Sequence, residues 1–299
     1  DLHSFPTRRS SDLNLLIKHM QHEKGLSRVL ERRFICFGLI IFSVAAAAGF
    51  VGAAVYFNRT AVDEAQASAA AAHSEYQRAL NAYQAKLKQA RDIEAEAKQR
   101  PATDVVRYSD NCTPVDNPAA ITVIVSKTRC FNPKNWQPQD LVSIGDNERM
   151  RAEAAKHYTE MKQAANTAGK PFAPSSAYRS HDEQITVYNH WVATNKNAEA
   201  ADLVSARPGY SEHQTGLAVD LKVGSCALEC FATTPAYAWL RENGARYGFI
   251  QRYPEKMASV TGYDTETWHW RYIGVENALA MKRLGFETLE AYMKFVESK

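Results

Sequence analysis

Two short segments hold residues whose types and spacing suit metal-assisted hydrolysis: SEHQTGLAVD at 211–220 and ETWHWRY at 266–272. A hydrolytic zinc centre takes three nitrogen or oxygen ligands from the protein and keeps one position for water. His213, Asp220 and His269 supply such a set, so Zn2+ is the expected cofactor. Any one of them alone, in a chain with nine histidines, reads equally well as a satisfied polar residue. Their combination points to a cation.

Two strands must position these groups. With a period of two, a strand over LAVDL puts Leu217, Val219 and Leu221 on one face and Ala218 and Asp220 on the other. An acid so placed among apolar residues needs a cation or another partner. A strand over TWHWRYI puts Trp268, Trp270 and Tyr272 on the core face and Thr267, His269 and Arg271 on the opposite face. His269 can then meet the metal while the aromatic side chains pack.

SEHQTGLAVDL together with ETWHWRYIG resembles the SxHxxGxAxD and ExWH pattern of the VanY-type D-alanyl-D-alanine carboxypeptidases, zinc peptidases that share the Hedgehog/D-Ala-D-Ala peptidase fold. The likeness extends upstream through SSAYRSHDEQ and FNPKNWQPQDLV and covers residues 120–285. It implies that His213, Asp220 and His269 are the zinc ligands and Glu266 the catalytic base. It also implies that Arg179 is a catalytic electrostatic partner, and that Gln184 and Ser211 line the substrate cleft. For Arg179 the alternative is an ion pair at a helix start, and for Gln184 and Ser211 a structural hydrogen bond. The implied reaction removes the terminal D-Ala from peptidoglycan stem peptides. The alternatives are an LD-carboxypeptidase or peptidoglycan endopeptidase of the same fold, and a non-catalytic wall-binding scaffold.

Helices and strands mix without regular alternation, which predicts an α+β domain with a small antiparallel sheet flanked by helices. The run AITVIV (120–125) predicts a strand. Residues 146–169 predict a helix with Met150, Ala154, Tyr158, Met161 and Ala165 on one face. Ser180 and Glu183 form a capping box that opens another helix. Thr234-Pro235 opens a third helix, running to Gly248, and two more follow, at 275–284 and 289–298.

The remaining 100 residues are not peptidase-like. Residues 1–13 resemble a translated sequencing-adapter remnant and take no part in the fold. Residues 14–33 are a basic cytoplasmic segment. Residues 34–57 carry no charge and are long enough to cross about 30 Å of hydrocarbon as a helix. Lys18, Lys24, Arg28, Arg32 and Arg33 precede them, which places the N-terminus in the cytoplasm and the catalytic domain outside a single-pass membrane anchor. A cleaved signal peptide is the alternative.

Residues 58–100 predict a helical stalk. Ala69, His73, Tyr76, Leu80, Tyr83, Leu87 and Ala90 trace a coiled-coil seam that would allow a homodimer, although a solitary linker helix fits the same pattern. The peptidase domain is expected over 101–299. Among the five cysteines, Cys112, Cys130, Cys226 and Cys230 lie in polar sequence and read as two disulfides, which require an oxidising compartment; the alternative is a Cys-rich zinc site, for which neither pair has the short CxxC spacing. A net charge of +3 over 299 residues gives no reason to expect a nucleic-acid partner.

Overall fold

The computed structural model describes residues 51–297 except 102, 103 and 110, with side chains from residue 62 onward. The expected membrane span at 34–57 falls largely outside the described residues, as do the adapter remnant and the basic segment. Among the described residues no helix is long and apolar enough to cross a membrane.

Helix α1 (Val51–Ala97) contains no Pro or Gly after Gly52 and runs 47 residues. Pro101 follows its end, as expected of a residue that cannot continue a helix. The compact unit begins within this helix, at Tyr83. Tyr83, Leu87 and Ala90 pack with Met281, Phe286, Tyr292 and Phe295, so the last part of the seam is used inside the chain. These partners come from α7 (Val275–Leu284), α8 (Leu289–Glu297) and the turn between them.

The centre is a four-stranded antiparallel sheet in the order β5-β6-β8-β7. Its members are β5 (Ala173–Ser176), β6 (Ala218–Lys222), β7 (Phe249–Tyr253) and β8 (Glu266–Tyr272), and a short parallel pair, β1 (Thr113–Pro114) and β2 (Arg129–Cys130), precedes it in the chain. Leu217, Val219 and Leu221 pack with Trp270, Tyr272 and Phe249 against α2 (Ala152–Thr167), whose Ala154, Tyr158, Met161 and Ala165 are all buried. The alternation expected for LAVDL and TWHWRY therefore holds. The other face of β6 and β8 carries Asp220, His269 and Arg271. The expected α+β class is observed.

Two elements differ from expectation. AITVIV forms no strand; residues 121 and 122 make a turn and only Ser126 forms a bridge, to Arg129. Its valines are nevertheless buried, Val123 and Val125 packing with Val115 and Phe131. The Ile121 and Val123 carbonyls bond to the Arg271 guanidinium instead of a neighbouring strand. Apolar, β-branched content reported burial here, and a side chain replaced the ladder.

The helix expected to start at 146 starts at Ala152. Before it lies a hairpin of β3 (Leu141–Gly145) and β4 (Glu148–Arg151). Asp146 and Asn147, at φ 53° and 62°, form its turn, because short polar side chains tolerate the left-handed region. Met150 is buried as expected, but from a strand.

The remaining expectations at element level hold closely. Ser180 and Glu183 form a reciprocal capping box for α3 (His181–Asn195). Helix α5 (Pro235–Asn243), which follows the short α4 (Ala198–Val204) and β6 in the chain, is capped by Thr234 and passes through a 3-10 turn to Gly248, and the one-turn α6 (Ala258–Thr261) lies between β7 and β8. Disulfides join Cys112 to Cys130 and Cys226 to Cys230, the latter closing a loop just after β6.

Candidate metal centre

The three expected ligands come from three places and converge. His213 lies in the 3-10 turn Glu212–Thr215, which Ser211 caps by accepting the His213 backbone N–H. Gly216 ends that turn at φ 68° and feeds directly into β6. Asp220 on β6 is paired in register with His269 on β8 and with Ser176 on β5. His213 Nε2 lies 3.2 Å from Asp220 Oδ2, and His269 Nδ1 lies 3.2 Å from Asp220 Oδ1. One donor atom from each residue fits within 4.8 Å of the others.

The nitrogen that each imidazole presents is set by what its other nitrogen does. His213 Nδ1 lies 2.6 Å from the Ala177 carbonyl, to which it can only donate, leaving the Nε2 lone pair toward Asp220. His269 has the opposite arrangement: Nδ1 faces Asp220 and Glu266, and Nε2 faces Glu212 Oε2 at 3.4 Å. The chain thus offers two imidazole lone pairs and a carboxylate to one point.

This donor set fits a divalent cation of the zinc type. Buried Asp220 Oδ1 has no hydrogen-bond partner among the described residues, which a cation would supply. Burial would pull the His269 imidazole toward neutrality, yet Asp220, Glu212 and Glu266 outweigh it and hold its pKa well above the ordinary value. Three carboxylates around one ring define a place that favours positive charge. Burial opposes ionisation of Asp220 too, but His213 and His269 overcome it and keep the carboxyl far below the usual range.

Glu266 closes the site, with Oε2 at 3.4 Å from His269 Nδ1. Burial raises its pKa above the ordinary glutamate value, with His269 pulling the other way. A carboxyl so tuned is suited to exchanging a proton with a neighbouring water.

Arg179 is tied to the same place. Its backbone N–H bonds to the His213 carbonyl at 3.2 Å. Its guanidinium donates to Gln184 Oε1 at 2.9 Å and to Ser176 Oγ at 2.8 Å. No ion pair joins it to Asp182 or Glu183 among the described residues. Gln184 is fully buried, its amide nitrogen donating to the Ala206 carbonyl at 2.7 Å. Both ends of Gln184 are thus engaged inside the protein, and Ser211 is buried as a turn cap. The hydrogen bonds that both residues make are internal ones.

Sequence reasoning did not single out Glu212, Arg252 or Ser176. Glu212 and Arg252 are buried charged residues that meet each other at 2.7 Å. Charged residues flanked by apolar or aromatic ones, as in IQRYP and WHWRY, were the available signal.

A mononuclear metallopeptidase centre on a small antiparallel sheet is what fold and site define. The pattern of the VanY family, described as D-alanyl-D-alanine carboxypeptidase, matches residues 147–275. YodJ of Bacillus subtilis is 35% identical over 205 residues, which is 64% of this chain and 74% of that relative. A D-alanyl-D-alanine carboxypeptidase of Enterococcus faecalis is 30% identical over 219 residues, 66% of this chain and 80% of the relative. The chain belongs to the VanY family of D-alanyl-D-alanine carboxypeptidases.

Two solved structures are similar as well. The LdcB LD-carboxypeptidase aligns at a TM-score of 0.57 and 36% identity, over 65% of this chain and 94% of the other. A point variant of the D,D-pentapeptidase VanY in complex with Zn(II) aligns at 0.52 and 30% identity, over 59% and 99%.

Proposed function

We propose that the chain is a zinc-dependent carboxypeptidase that removes the terminal D-Ala from peptidoglycan stem peptides. The observation that carries this reading is the convergence of His213 Nε2, Asp220 and His269 Nδ1 beside the Glu266 carboxylate. Zinc, when bound, supplies a Lewis acid that acidifies a water and polarises the scissile carbonyl. Glu266 takes the proton from that water and hands it to the departing D-Ala amine. Arg179, oriented by Gln184 and Ser176, presents its guanidinium to a substrate carboxylate or to the carbonyl oxygen as charge develops there. The two disulfides support an extracytoplasmic setting. Residues 34–57 are the proposed membrane anchor, and the seam residues before Tyr83 are those left for pairing of two copies.

A second reading, an LD-carboxypeptidase acting on the tetrapeptide, is favoured by the likeness to LdcB. Both share the zinc machinery and differ only in the cleft walls. Purified muropeptides treated with zinc-loaded protein, with and without chelator, separate them by mass spectrometry. Conversion of pentapeptide to tetrapeptide supports the first reading and of tetrapeptide to tripeptide the second. Scission of crosslinked dimers would indicate an endopeptidase, and no turnover of any of them would leave a wall-binding scaffold.

A further inference from the structure

Behind His269 lies a set of ion pairs that the reaction does not use directly, with Glu212, Arg252 and Arg271 buried and Glu290 at its part-exposed outer end. Glu212 Oε1 accepts from Arg252 Nε at 2.7 Å and from Arg271 Nη1 at 2.6 Å. Each guanidinium is anchored at its far side. Arg252 forks onto Glu290 of α8 at 2.6 and 3.0 Å. Arg271 Nη2 donates to the Ile121 and Val123 carbonyls at 2.8 Å each. Two cations and two carboxylates balance, which offsets the cost of burying Glu212 and both guanidinium groups.

That balance involves only one oxygen of Glu212. Neither Oε2 nor His269 Nε2 has a hydrogen-bond partner among the described residues, and the two buried atoms face each other at 3.4 Å. The imidazole packs beside Tyr253, tilted at 54° with 4.9 Å between ring centroids, and beside His213, edge-on at 4.8 Å. Packing of this kind leaves open a ring flip that would turn a carbon toward Asp220. Asp220 and Glu266 favour the observed orientation from the Nδ1 side, and a partner at Nε2 would fix it from the other.

We propose that Glu212, locked by Arg252 and Arg271, is a positioning residue of the metal centre: it accepts the His269 Nε2–H and thereby fixes Nδ1 toward the metal. This inference rests on the zinc reading above. A cluster serving stability alone would have no need of an oxygen aimed at the ring. Outer partners of this type typically change metal affinity by about 10- to 100-fold when removed.

The test uses the full chain and its Glu212→Gln and Glu212→Asp variants. Zinc affinity is measured by competition with a chromophoric chelator, and ligand geometry by the visible spectrum of the cobalt-loaded proteins. The aspartate keeps the charge that the arginines need but withdraws the carboxylate from the ring. Both variants are expected to bind zinc about 10- to 100-fold more weakly and to show altered cobalt bands. Folded variants with zinc affinity within about threefold of the parent and unchanged bands would overturn the proposal, since a purely structural role lowers the melting temperature alone.

Should both variants fail to fold, nitrogen-15 spectra of the zinc-loaded parent decide. A protonated, slowly exchanging Nε2 on His269 with the metal on Nδ1 supports the proposal, and a metal on Nε2 overturns it. A parent chain that takes up no zinc would overturn the proposed function as well. Tight parent binding with unaffected variants would overturn this inference alone.

Discussion

Glu266 and His269 stand three residues apart on one strand, a spacing that regular pleating sends to opposite faces, yet Glu266 Oε2 lies 3.4 Å from His269 Nδ1. The sheet is irregular at that point. Gln251 pairs with Trp270 and Tyr253 with Glu266, so two residues of advance on β7 match four on β8. The Trp270 indole N–H donates to the Thr267 carbonyl across the distortion at 3.1 Å. Such irregularities re-aim side chains next to active sites, and here one brings an acid to the ligand side of the sheet.

If Glu266 is the base, replacing it with Gln keeps the site's shape and removes its proton acceptor. Turnover of pentapeptide is expected to fall by about 10²- to 10⁴-fold, with zinc still bound at one equivalent. Loss of zinc along with activity would show instead that Glu266 serves the metal.

Removing the metal should loosen the fold as well as stop the reaction, because the donors link β6, β8 and the 3-10 turn before β6. At zinc about 100-fold above its dissociation constant, binding adds about 2.7 kcal/mol, or about 5–10 °C in melting temperature for a unit of this size. Calorimetry of the parent with and without chelator measures this. His213→Ala and His269→Ala are expected to show no zinc-dependent rise, and a rise in either would remove that residue from the ligand set.

Arg179→Lys retains charge but cannot donate simultaneously to Gln184 and Ser176 and still present a planar face. A drop in kcat/KM of about 10²- to 10³-fold is expected by analogy with the loss of one oxyanion donor. Gln184→Leu should lower kcat/KM less, since it leaves the guanidinium present but unheld. Equal kcat/KM for parent and Arg179→Lys would leave Arg179 with only its backbone role at His213.

The convergence of the three candidate donors was legible in part because strand periodicity and residue chemistry agree: Asp220 and His269 sit opposite Val219 and Trp270 along their strands. The positions of helices were legible wherever a cap spoke, as at Ser180 and Thr234. What local pattern cannot encode is which distant group completes a hydrogen bond. AITVIV looks like a strand until Arg271, about 150 residues away in sequence, takes its carbonyls. Glu212 was hidden inside the motif for the same reason, its partners Arg252 and Arg271 being known only from the fold.

Lys127 gives a pH-dependent stability that is independent of the metal. It is almost fully buried, with its ammonium over the Tyr263 ring at 4.7 Å and the Tyr108 ring at 5.7 Å. Burial lowers its pKa to about 8, against 10.5 for the free side chain, with Asp202 and Asp264 opposing. Between those values the unfolded chain binds more protons than the folded one, so this residue's contribution to stability rises with pH through that window and is lost as pH falls through about 8. Tyr108 and Tyr263, held above the ordinary tyrosine value by burial, act oppositely only as pH passes 10. Denaturant melts from pH 7.5 to about 9.5 should therefore show the parent gaining on Lys127→Met. Parallel curves for the two proteins would mean that the lysine is not held neutral at the upper end.

The end of α1 should prove part of the peptidase unit and not merely a tether. Glu94 accepts the Glu287 N–H at 2.9 Å, and the Thr288 N–H and hydroxyl at 2.6 and 2.7 Å, all just ahead of α8. Arg91 donates to the Leu284 carbonyl at the end of α7. Two helix ends thus depend on a third helix for groups they cannot satisfy themselves. Burial opposes ionisation of Glu94 and raises its pKa, with the Thr288 and Glu287 donors pulling it back. A fragment beginning at residue 101 lacks this support and also exposes Phe286 and Phe295, which pack with Tyr83, Leu87 and Ala90. It should melt well below a fragment beginning before Tyr83. In the longer fragment Glu94→Ala should cost about 1–2 kcal/mol, the range for loss of a helix cap. Because α8 also carries Glu290, the partner of Arg252, the shorter fragment should bind zinc more weakly too. Equal melting temperatures for the two fragments would return α1 to the role of a linker.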